Sequence, residues 1–204
     1  MRITGGTYRG RVLKSPKNEA TRPTQDRVRE ALFSMLLAEL PGARFLDLFA
    51  GTGAVGIEAV SRGAGDVVWV EGDRGVHRIT VQNVSAIAGE ALARNVVCSD
   101  VTRWIRTAGR GTAFDIVFAD PPYINAKDGG LSELAMSLKQ NGVVAPGGLL
   151  IAEMPVDAPV ATLPGWIILR DRTYGKTRLV IRQLENNEPN PVPTQATQTA
   201  PERL

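Results

Sequence analysis

Short apolar runs alternate with longer amphipathic segments between residues 44 and 153. Each apolar run spans four to six residues and predicts a buried strand, whereas apolar residues at helical spacing between the runs predict helices. The predicted strands are 44–49, 67–70, 95–98, 115–119 and 149–153, and the predicted helices are 54–62, 76–88, 101–108 and 131–141. Strands this apolar, separated by helices, indicate an α/β fold with a mostly parallel sheet covered on both faces.

The C-terminal part follows a different pattern. Two extended runs, 166–173 and 177–184, flank Tyr174-Gly175-Lys176 and predict an antiparallel hairpin at one sheet edge, which completes a seven-stranded sheet. Residues 185–204 are rich in Asn, Pro, Thr and Gln and are expected to form a disordered tail.

A further amphipathic segment precedes the alternating region. Thr24 is predicted to cap a helix whose apolar residues recur as far as Leu40. Arg22, Arg27 and Arg29 lie outside the apolar stripe of this helix, so we expect them to face a cofactor or substrate.

Positive charge is concentrated at the N-terminus. The chain has 204 residues and a net charge of +3, yet residues 1–18 hold five cations and no acid. Glycines and a proline interrupt this segment and predict an irregular or hairpin-like arm at 1–20, ahead of one domain at 21–184. Such an arm favours a polyanion such as nucleic acid as partner, and a solvated basic arm is the even alternative. The residues expected to contact the polyanion are Arg2, Tyr8, Arg9, Arg11, Lys14 and Lys17.

The composition excludes several classes of protein. One cysteine, Cys98, and one histidine, His77, provide neither an internal disulfide nor a Cys/His metal cluster. No apolar run approaches the roughly 20 residues that span a bilayer, and the N-terminus lacks the apolar core of a secretory signal. We therefore expect a cytoplasmic protein without a metal, and a monomer.

A glycine turn follows the first predicted strand. Gly51-Thr52-Gly53-Ala54-Val55-Gly56 fits a turn that opens a helix and holds a nucleotide-like cofactor. Glu71 lies 20 residues after Gly51, where an acid would bind a ribose. A nicotinamide-dependent Rossmann oxidoreductase is therefore a rival interpretation, which the glycines do not exclude.

The acids at the predicted strand ends favour a cationic cofactor instead. Asp47, four residues before the first glycine, places negative charge where a pyrophosphate would lie, but it suits the ammonium group of S-adenosylmethionine or its ordered water. Glu71 is assigned to the ribose hydroxyls, with Asp73 as a competitor. Asp100 and Val101 are assigned to the adenine edge, and a helix N-cap is the alternative role of Asp100. The backbone of the turn completes the predicted cofactor site, through Phe49, Ala50, Gly51 and Gly53.

The tetrapeptide Asp120-Pro121-Pro122-Tyr123 follows the fourth predicted strand and therefore reaches the same sheet edge. Hydrogen bonds from an aryl amine to the Asp120 carboxylate and the Pro121 carbonyl would localise the nitrogen lone pair for attack on a sulfonium methyl. Pro121 and Pro122 fix the backbone and leave only acceptors, and Tyr123 is expected to stack on a base. This pattern predicts a Rossmann-like, class I S-adenosylmethionine-dependent methyltransferase. Residues 124–130 are polar and glycine-rich and are expected to form a lid.

Several motifs, in this order, resemble the RsmD-type bacterial family. They are Arg2-Ile3-Thr4-Gly5-Gly6, Arg9-Gly10-Arg11, Arg22-Pro23-Thr24, Asp26–Phe33, Asp47–Gly53, Glu71, Asp120–Tyr123 and Tyr174–Thr177. The resemblance covers residues 1–184 and implies methyl transfer to the N2 amine of a guanine in small-subunit ribosomal RNA, in assembled or assembling subunits. It also implies that the basic hairpin and the segment around Arg22 and Thr24 meet RNA or close over the cofactor.

Other functions share part of this pattern. An adenine-N6 DNA methyltransferase usually needs a target-recognition region, for which the chain leaves little room. A glutamine methyltransferase of proteins usually carries Asn where this chain has Asp120. A module that binds cofactor and RNA without catalysis belongs to another class, and an intact Asp120 argues against it.

Overall fold

The computed structural model describes residues 1–15, 23–121 and 130–186, with the backbone alone for residues 23–25. From residue 187 onward the predicted tail lies outside the described residues, as does the predicted lid as far as residue 129. Among the described residues, no helix combines the length and the apolarity needed to cross a membrane.

Helices and strands follow the order that the sequence pattern predicts, with one additional short helix at Glu90–Ala93. The strands are β1 (Arg44–Leu48), β2 (Asp66–Glu71), β3 (Val96–Cys98), β4 (Phe114–Ala119), β5 (Val144–Pro155), β6 (Trp166–Tyr174) and β7 (Thr177–Leu184). The helices of the described residues are α1 (Pro23–Met35), α2 (Ala54–Ser61), α3 (Arg74–Ala88), α4 (Glu90–Ala93), α5 (Val101–Arg106) and α6 (Gly130–Gln140).

The strands form one seven-stranded sheet in the order β3-β2-β1-β4-β5-β7-β6. The first five pair in parallel, and β7 pairs antiparallel with both β5 and β6. The predicted hairpin at one sheet edge is therefore confirmed. Because the order reverses at β1, the carboxyl ends of β1 and β4 lie side by side, at the place where such sheets bind ligands.

Two apolar clusters cover the two faces of the sheet. On one face the side chains of α1, α2 and α3 pack against β1, β4 and β5, around residues such as Phe33, Ile57 and Val84. On the other face α5 and α6 pack against the same strands, around Trp104 and Leu138. The hydrophobic burial of both faces of the parallel strands explains why these strands read as continuous apolar runs.

The bounds of two elements differ from the prediction by more than two residues. Helix α1 begins at Pro23 rather than after a cap at Thr24, and proline suits a first helical position because its missing N–H needs no acceptor there. It ends at Met35, and single turns then carry the chain to the buried Leu40. Strand β5 begins at Val144 instead of residue 149, and Gly147 and Gly148 lie where its pairing with β4 is irregular.

Residues 1–15 of the N-terminal arm form a hairpin packed on the domain. Arg2 and Val12 form a β-bridge, and the apolar Ile3 and Leu13 are buried in the core. Backbone bonds continue from the arm to helix α2, where Thr7 N donates to Ser61 O at 2.8 Å. The arm is therefore held by apolar burial and backbone hydrogen bonds, and its cations project from a fixed support.

Candidate active site

Four acids lie at the carboxyl edge of the parallel strands. Asp47 lies within β1, Glu71 ends β2, Asp120 follows β4 and Glu153 lies in β5. Parallel strands bring their carboxyl ends to one edge, which explains how residues so distant in sequence meet. The structure therefore brings together three of the four strand-end acids that the sequence predicted, and adds Glu153.

The glycine turn begins directly after β1. Gly51 and Gly53 have φ values of 56° and 78°, in the left-handed region that favours glycine. Phe49 also lies there, at φ 59°, which is uncommon for a residue with a bulky side chain. Strand β1 thus ends at Leu48, one residue before the predicted bound, and the chain reverses into α2 within five residues.

Three side chains hold the carbonyls of this turn. Thr80 Oγ1 donates to Gly51 O at 2.6 Å, and Asn83 Nδ2 donates to Thr52 O at 2.9 Å. Trp69 Nε1 donates to Gly53 O at 3.3 Å. Sequence reasoning missed these residues, although a buried threonine and asparagine within the apolar stripe of α3 are a usable signal. Their hydrogen bonds shape the turn before any ligand arrives.

Gly56 permits close packing of helix α2 on β2. A Cβ atom at this position would lie 2.1 Å from Trp69 Nε1, closer than any side chain can approach. The third glycine of the motif therefore serves helix–strand packing, as in dinucleotide-binding turns.

Asp47 is sealed inside the fold. Its side chain is 1% exposed, and Oδ2 accepts a hydrogen bond from Gly56 N at 2.9 Å. Burial raises the pKa of Asp47 well above its ordinary value, and the charges of Asp120 and Glu71 add to the shift. Asp47 therefore fixes the start of α2.

Glu71 connects the turn with the start of α3. Its Oε2 accepts from Gly51 N at 2.9 Å, and its Oε1 accepts from Asp73 N at 2.8 Å. Asp73, the competitor for the ribose, caps α3 by accepting from Gly75 N and Val76 N. Those hydrogen bonds lower the pKa of Asp73. Both cap bonds go to Oδ1 of Asp73, so each acid keeps acceptor capacity, and the assignment of Glu71 to the ribose stays a prediction.

Asp100 adopts the alternative role that its sequence allowed. Its carboxylate accepts from Arg103 N at 2.8 Å and so caps helix α5. Val101 is 3% exposed and packs in the core of that face. The predicted contact of this pair with adenine stays a prediction.

Asp120 differs from Asp47 in its surroundings. It is exposed to solvent, and among the described residues no hydrogen bond or ion pair engages its carboxylate. The protein atoms around it nonetheless remove enough water to raise the pKa of Asp120 to about 6. Pro121 is buried. Pro122 and Tyr123 lie outside the described residues, as do Lys17, Arg22 and the side chain of Thr24.

Glu153 is a second carboxyl group beside Asp120 that sequence reasoning missed. Ala119 of β4 pairs with Ala152 of β5, so the next residues, Asp120 and Glu153, are neighbours on one face. Desolvation and the charge of Asp120 raise the pKa of Glu153 to about 8, and Arg29 opposes the shift. Near neutral pH this pair therefore shares about one proton.

Arg29 is not free to meet a cofactor or substrate, so that expectation was wrong. It is 4% exposed, and its Nε pairs with Glu58 Oε2 at 2.6 Å. Glu58 is fully buried and also binds Arg62 and the backbone and hydroxyl of Thr4. This network lowers the pKa of Glu58 against the effect of burial. The arginine therefore ties α1, α2 and the arm together, because a buried carboxylate requires charged partners.

The predicted polyanion contacts of the arm are surface residues with one exception. Arg2, Arg9, Arg11 and Lys14 are exposed, whereas Tyr8 is half-buried and packs against the core. Asn83, which holds the glycine turn, also pairs with the backbone of Lys14 through two hydrogen bonds of 2.9 and 3.0 Å. The arm and the turn therefore share one buried side chain.

Comparisons with known proteins agree with this geometry. The family model described as "Conserved hypothetical protein 95" matches residues 1–183. The ribosomal RNA small subunit methyltransferase D of Escherichia coli K12 is 38% identical over 187 residues, which cover 91% of this chain and 90% of the relative. The protein of the same name from Haemophilus influenzae is 34% identical over 86% of this chain and 89% of its own length. The solved structure of yhhF from Escherichia coli is 37% identical and superposes with a TM-score of 0.78, covering 91% of this chain and 98% of that one. The chain therefore belongs to the conserved hypothetical protein 95 family, the RsmD-type family that its motifs resemble.

Proposed function

We propose that this protein transfers a methyl group from S-adenosylmethionine to the N2 amine of a guanine in small-subunit ribosomal RNA. The observation that carries the proposal is the carboxylate of Asp120, which has no hydrogen-bond or ion-pair partner within the described residues and adjoins the glycine turn at the reversal point of the sheet. The names of the related proteins supply the polymer, ribosomal RNA. Guanine N2 and a substrate in assembled or assembling subunits are the finer parts of the proposal.

The acidic sheet edge supports a cationic cofactor rather than a dinucleotide. A pyrophosphate needs free N–H groups at the turn, but Gly51 N and Gly56 N already donate to Glu71 and Asp47. The two acidic side chains at this turn suit a sulfonium and an ammonium group better than a phosphate. The residues present therefore fit S-adenosylmethionine better than a nicotinamide dinucleotide.

The cofactor's binding residues follow from this fit. Glu71 would accept from the ribose hydroxyls, and the backbone of Phe49, Ala50, Gly51 and Gly53 would line the turn. Asp47 would support the turn rather than face the cofactor directly, because one of its oxygens accepts from Gly56 N. When bound, S-adenosylmethionine supplies a methyl group from its sulfonium and leaves as S-adenosylhomocysteine.

Asp120 would act on the acceptor amine. An exocyclic amine conjugated with a base is a weak nucleophile, since its lone pair is delocalised into the ring. A hydrogen bond from that amine to the ionised Asp120 carboxylate, and a second to the Pro121 carbonyl, hold the nitrogen and localise the pair. The methylated nitrogen then loses its extra proton, for which the ionised Asp120 carboxylate is the candidate base.

The test is direct. The protein is incubated with labelled S-adenosylmethionine and with small subunits, free ribosomal RNA, DNA or a protein substrate, and the modified nucleoside is identified by mass spectrometry. We expect N2-methylguanosine in small-subunit RNA. Methyladenine in DNA, methylglutamine in protein, or no transfer to any substrate would contradict the proposal.

A further inference from the structure

The N-terminal hairpin lies along helix α3 and lines up cations from two separate parts of the chain. Arg11 Nη2 donates to Ala86 O at 3.0 Å, and Lys14 Nζ donates to Gln82 Oε1 at 3.3 Å. Residues four apart share one face of a helix, so Arg78 lies one turn before Gln82. The docking of the arm therefore places its cations on the face of α3 that already carries Arg78.

Arg74 extends this row by another turn. Positions 74, 78, 82 and 86 are separated by one turn each and span about 18 Å at a rise of about 1.5 Å per residue. The cations that occupy the row are, in order, Arg74, Arg78, Lys14 and Arg11, and we call these four residues the basic row. Arg74, Arg78, Lys14 and Arg11 are exposed, and none forms an ion pair within the described residues.

The two elements that carry the basic row have no acid of their own. Neither residues 1–15 nor helix α3 contains aspartate or glutamate. The nearest acids bound the row: Asp73 caps the start of α3, and Glu90 lies beyond its end and binds Ser85. These four cations, with Asp73 as an acidic neighbour of Arg78, form a line that matches a nucleic-acid backbone, which carries one negative charge at each nucleotide.

The basic row also has a direction relative to the candidate active site. Its Arg74 end lies three residues after Glu71, at the carboxyl edge of the sheet. Its other end is the arm, which Asn83 fastens to the glycine turn. An RNA strand held along the basic row therefore reaches the carboxyl edge of the sheet, which carries Asp120.

We propose that the basic row, formed jointly by α3 and the N-terminal hairpin, is the surface that holds the backbone of the RNA substrate. The new element is the contribution of α3, because the arm alone was expected from the sequence. The C-terminal hairpin is a weaker candidate, since Arg178 is neutralised by Asp171 at 2.6 Å. The proposal rests on the proposed function only for the choice of RNA as the polyanion.

The experiment compares Arg74→Ala/Arg78→Ala with the matched control Arg103→Ala/Arg106→Ala. The control removes two exposed arginines from α5, on the opposite face of the sheet. Affinity for small-subunit ribosomal RNA is measured by fluorescence anisotropy over a series of salt concentrations, without a methyl donor. Melting temperature and S-adenosylmethionine affinity are measured for each variant.

We expect the α3 double variant to bind RNA about tenfold more weakly at low salt. We also expect its log–log salt slope to fall by roughly one to two, because each neutralised phosphate contributes about 0.7 to 0.9 to that slope. The control variant should stay within about twofold of wild type. An unchanged slope in the α3 variant, an equal loss in the control, or wild-type binding without salt dependence would overturn the proposal.

This outcome is separable from the fate of the proposed function. Should wild type bind RNA through the basic row yet transfer no methyl group, the surface stands and the proposed reaction fails. Should wild type methylate RNA while the α3 variant binds it as wild type does, the reaction stands and the surface fails.

Discussion

The ends of β1 and β4 are neighbours in the sheet and carry the same residue type in opposite states. Asp47 is 1% exposed and bound to Gly56 N, whereas Asp120 is exposed and has no partner among the described residues. Hydrogen bonding commits the first aspartate to the turn, whereas no hydrogen bond within the described residues engages the second, which leaves its carboxylate available to a ligand. An acid at a strand end therefore indicates a functional site only when the structure shows which hydrogen-bond partners its carboxylate has.

The same contrast extends to the surroundings of each aspartate. Around the glycine turn, buried side chains satisfy the backbone carbonyls, so the turn is preorganised. Asp120 has another carboxyl group, Glu153, beside it, and the charge of Asp120 raises the pKa of Glu153. Buried hydrogen bonds stabilise the glycine turn, whereas the region around Asp120 presents a carboxyl group to a ligand.

The largest expected effect comes from Asp120→Asn, which keeps the shape of the side chain and removes its charge. We expect methyl transfer to fall at least 100-fold, because the amide is a weaker acceptor for the amine and no base. Affinity for S-adenosylmethionine should stay within a few-fold of wild type. Transfer of labelled methyl to small subunits and calorimetric cofactor titration measure the two quantities.

Asp115→Asn is the control for that variant. Asp115 lies on the same strand β4, near its opposite end, where its carboxylate accepts from Arg44 N at 2.8 Å. Asparagine keeps an acceptor there, so activity should be unchanged. Near wild-type turnover in Asp120→Asn would remove Asp120 from the reaction.

Substitutions of Asp47 should show the opposite pattern to Asp120→Asn, because they should reduce the stability of the fold first. Asp47→Ala leaves the buried Gly56 N–H without an acceptor and is expected to lower the free energy of unfolding by about 1–3 kcal/mol. Asp47→Asn retains an acceptor and should cost less. Urea denaturation of both variants measures the difference, and equal losses would show that this hydrogen bond is not what holds the turn.

Glu153 offers a test by pH. A folded-state pKa of about 8, above the ordinary 4.5, means that the folded protein holds the proton more tightly than the unfolded chain does. Stability from this group is complete below about pH 4.5 and is lost as the pH rises through about 8. We expect Glu153→Gln to reduce that loss of stability by roughly 1–2 kcal/mol. This is less than the whole pKa shift corresponds to, because the side chain is partly exposed.

The measurement is the free energy of unfolding of wild type and Glu153→Gln at pH 5 and pH 8.5. Asp120→Asn is the companion variant, since Asp120 contributes to the raised pKa of Glu153. Removing that charge should flatten the pH dependence in the same direction. Parallel stability curves for wild type and Glu153→Gln would contradict the shared-proton interpretation.

The smallest expected effect concerns the support of the glycine turn. Thr80→Val keeps the shape but removes the hydroxyl that donates to Gly51 O, and should weaken cofactor binding a few-fold, about 1 kcal/mol or less. Thr107→Val is its control, because Thr107 makes a comparable bond to Arg103 O on the other face of the sheet. Equal cofactor affinity in Thr80→Val and wild type would show that the turn keeps its shape without this bond.

Much of the fold followed from the period of the apolar residues. The seven strands and the C-terminal hairpin came from local patterns, and their bounds mostly fell within two residues of the structure. The start of β5 was missed, since Gly147 and Gly148 are typical of turns but here lie in a strand irregularity. The end of α1 was misplaced because Leu40, though outside the helix, is buried as a helical residue would be.

The candidate site was predictable to the extent that motifs mark strand ends. Asp47, Glu71 and Asp120 were found in this way, but the roles of Arg29 and Glu153 were not. Arg29 resembled a surface cation in the sequence, and only the position of Glu58 on another helix made it a buried partner. Glu153 carries no motif, and only the register of β5 against β4 places it beside Asp120.

The sequence by itself determined the parallel sheet, the left-handed glycine turn and the acids at the strand ends, because each depends on residues close together in the chain. Only the tertiary structure decided which aspartate is sealed and which is open, since hydrogen-bond partners and desolvation come from other elements. It also decided the alignment of Arg11 and Lys14 with Arg78, because that row exists only where the arm packs on α3. Local pattern fixes what a residue is able to do, and packing against distant residues fixes whether it is free to do it.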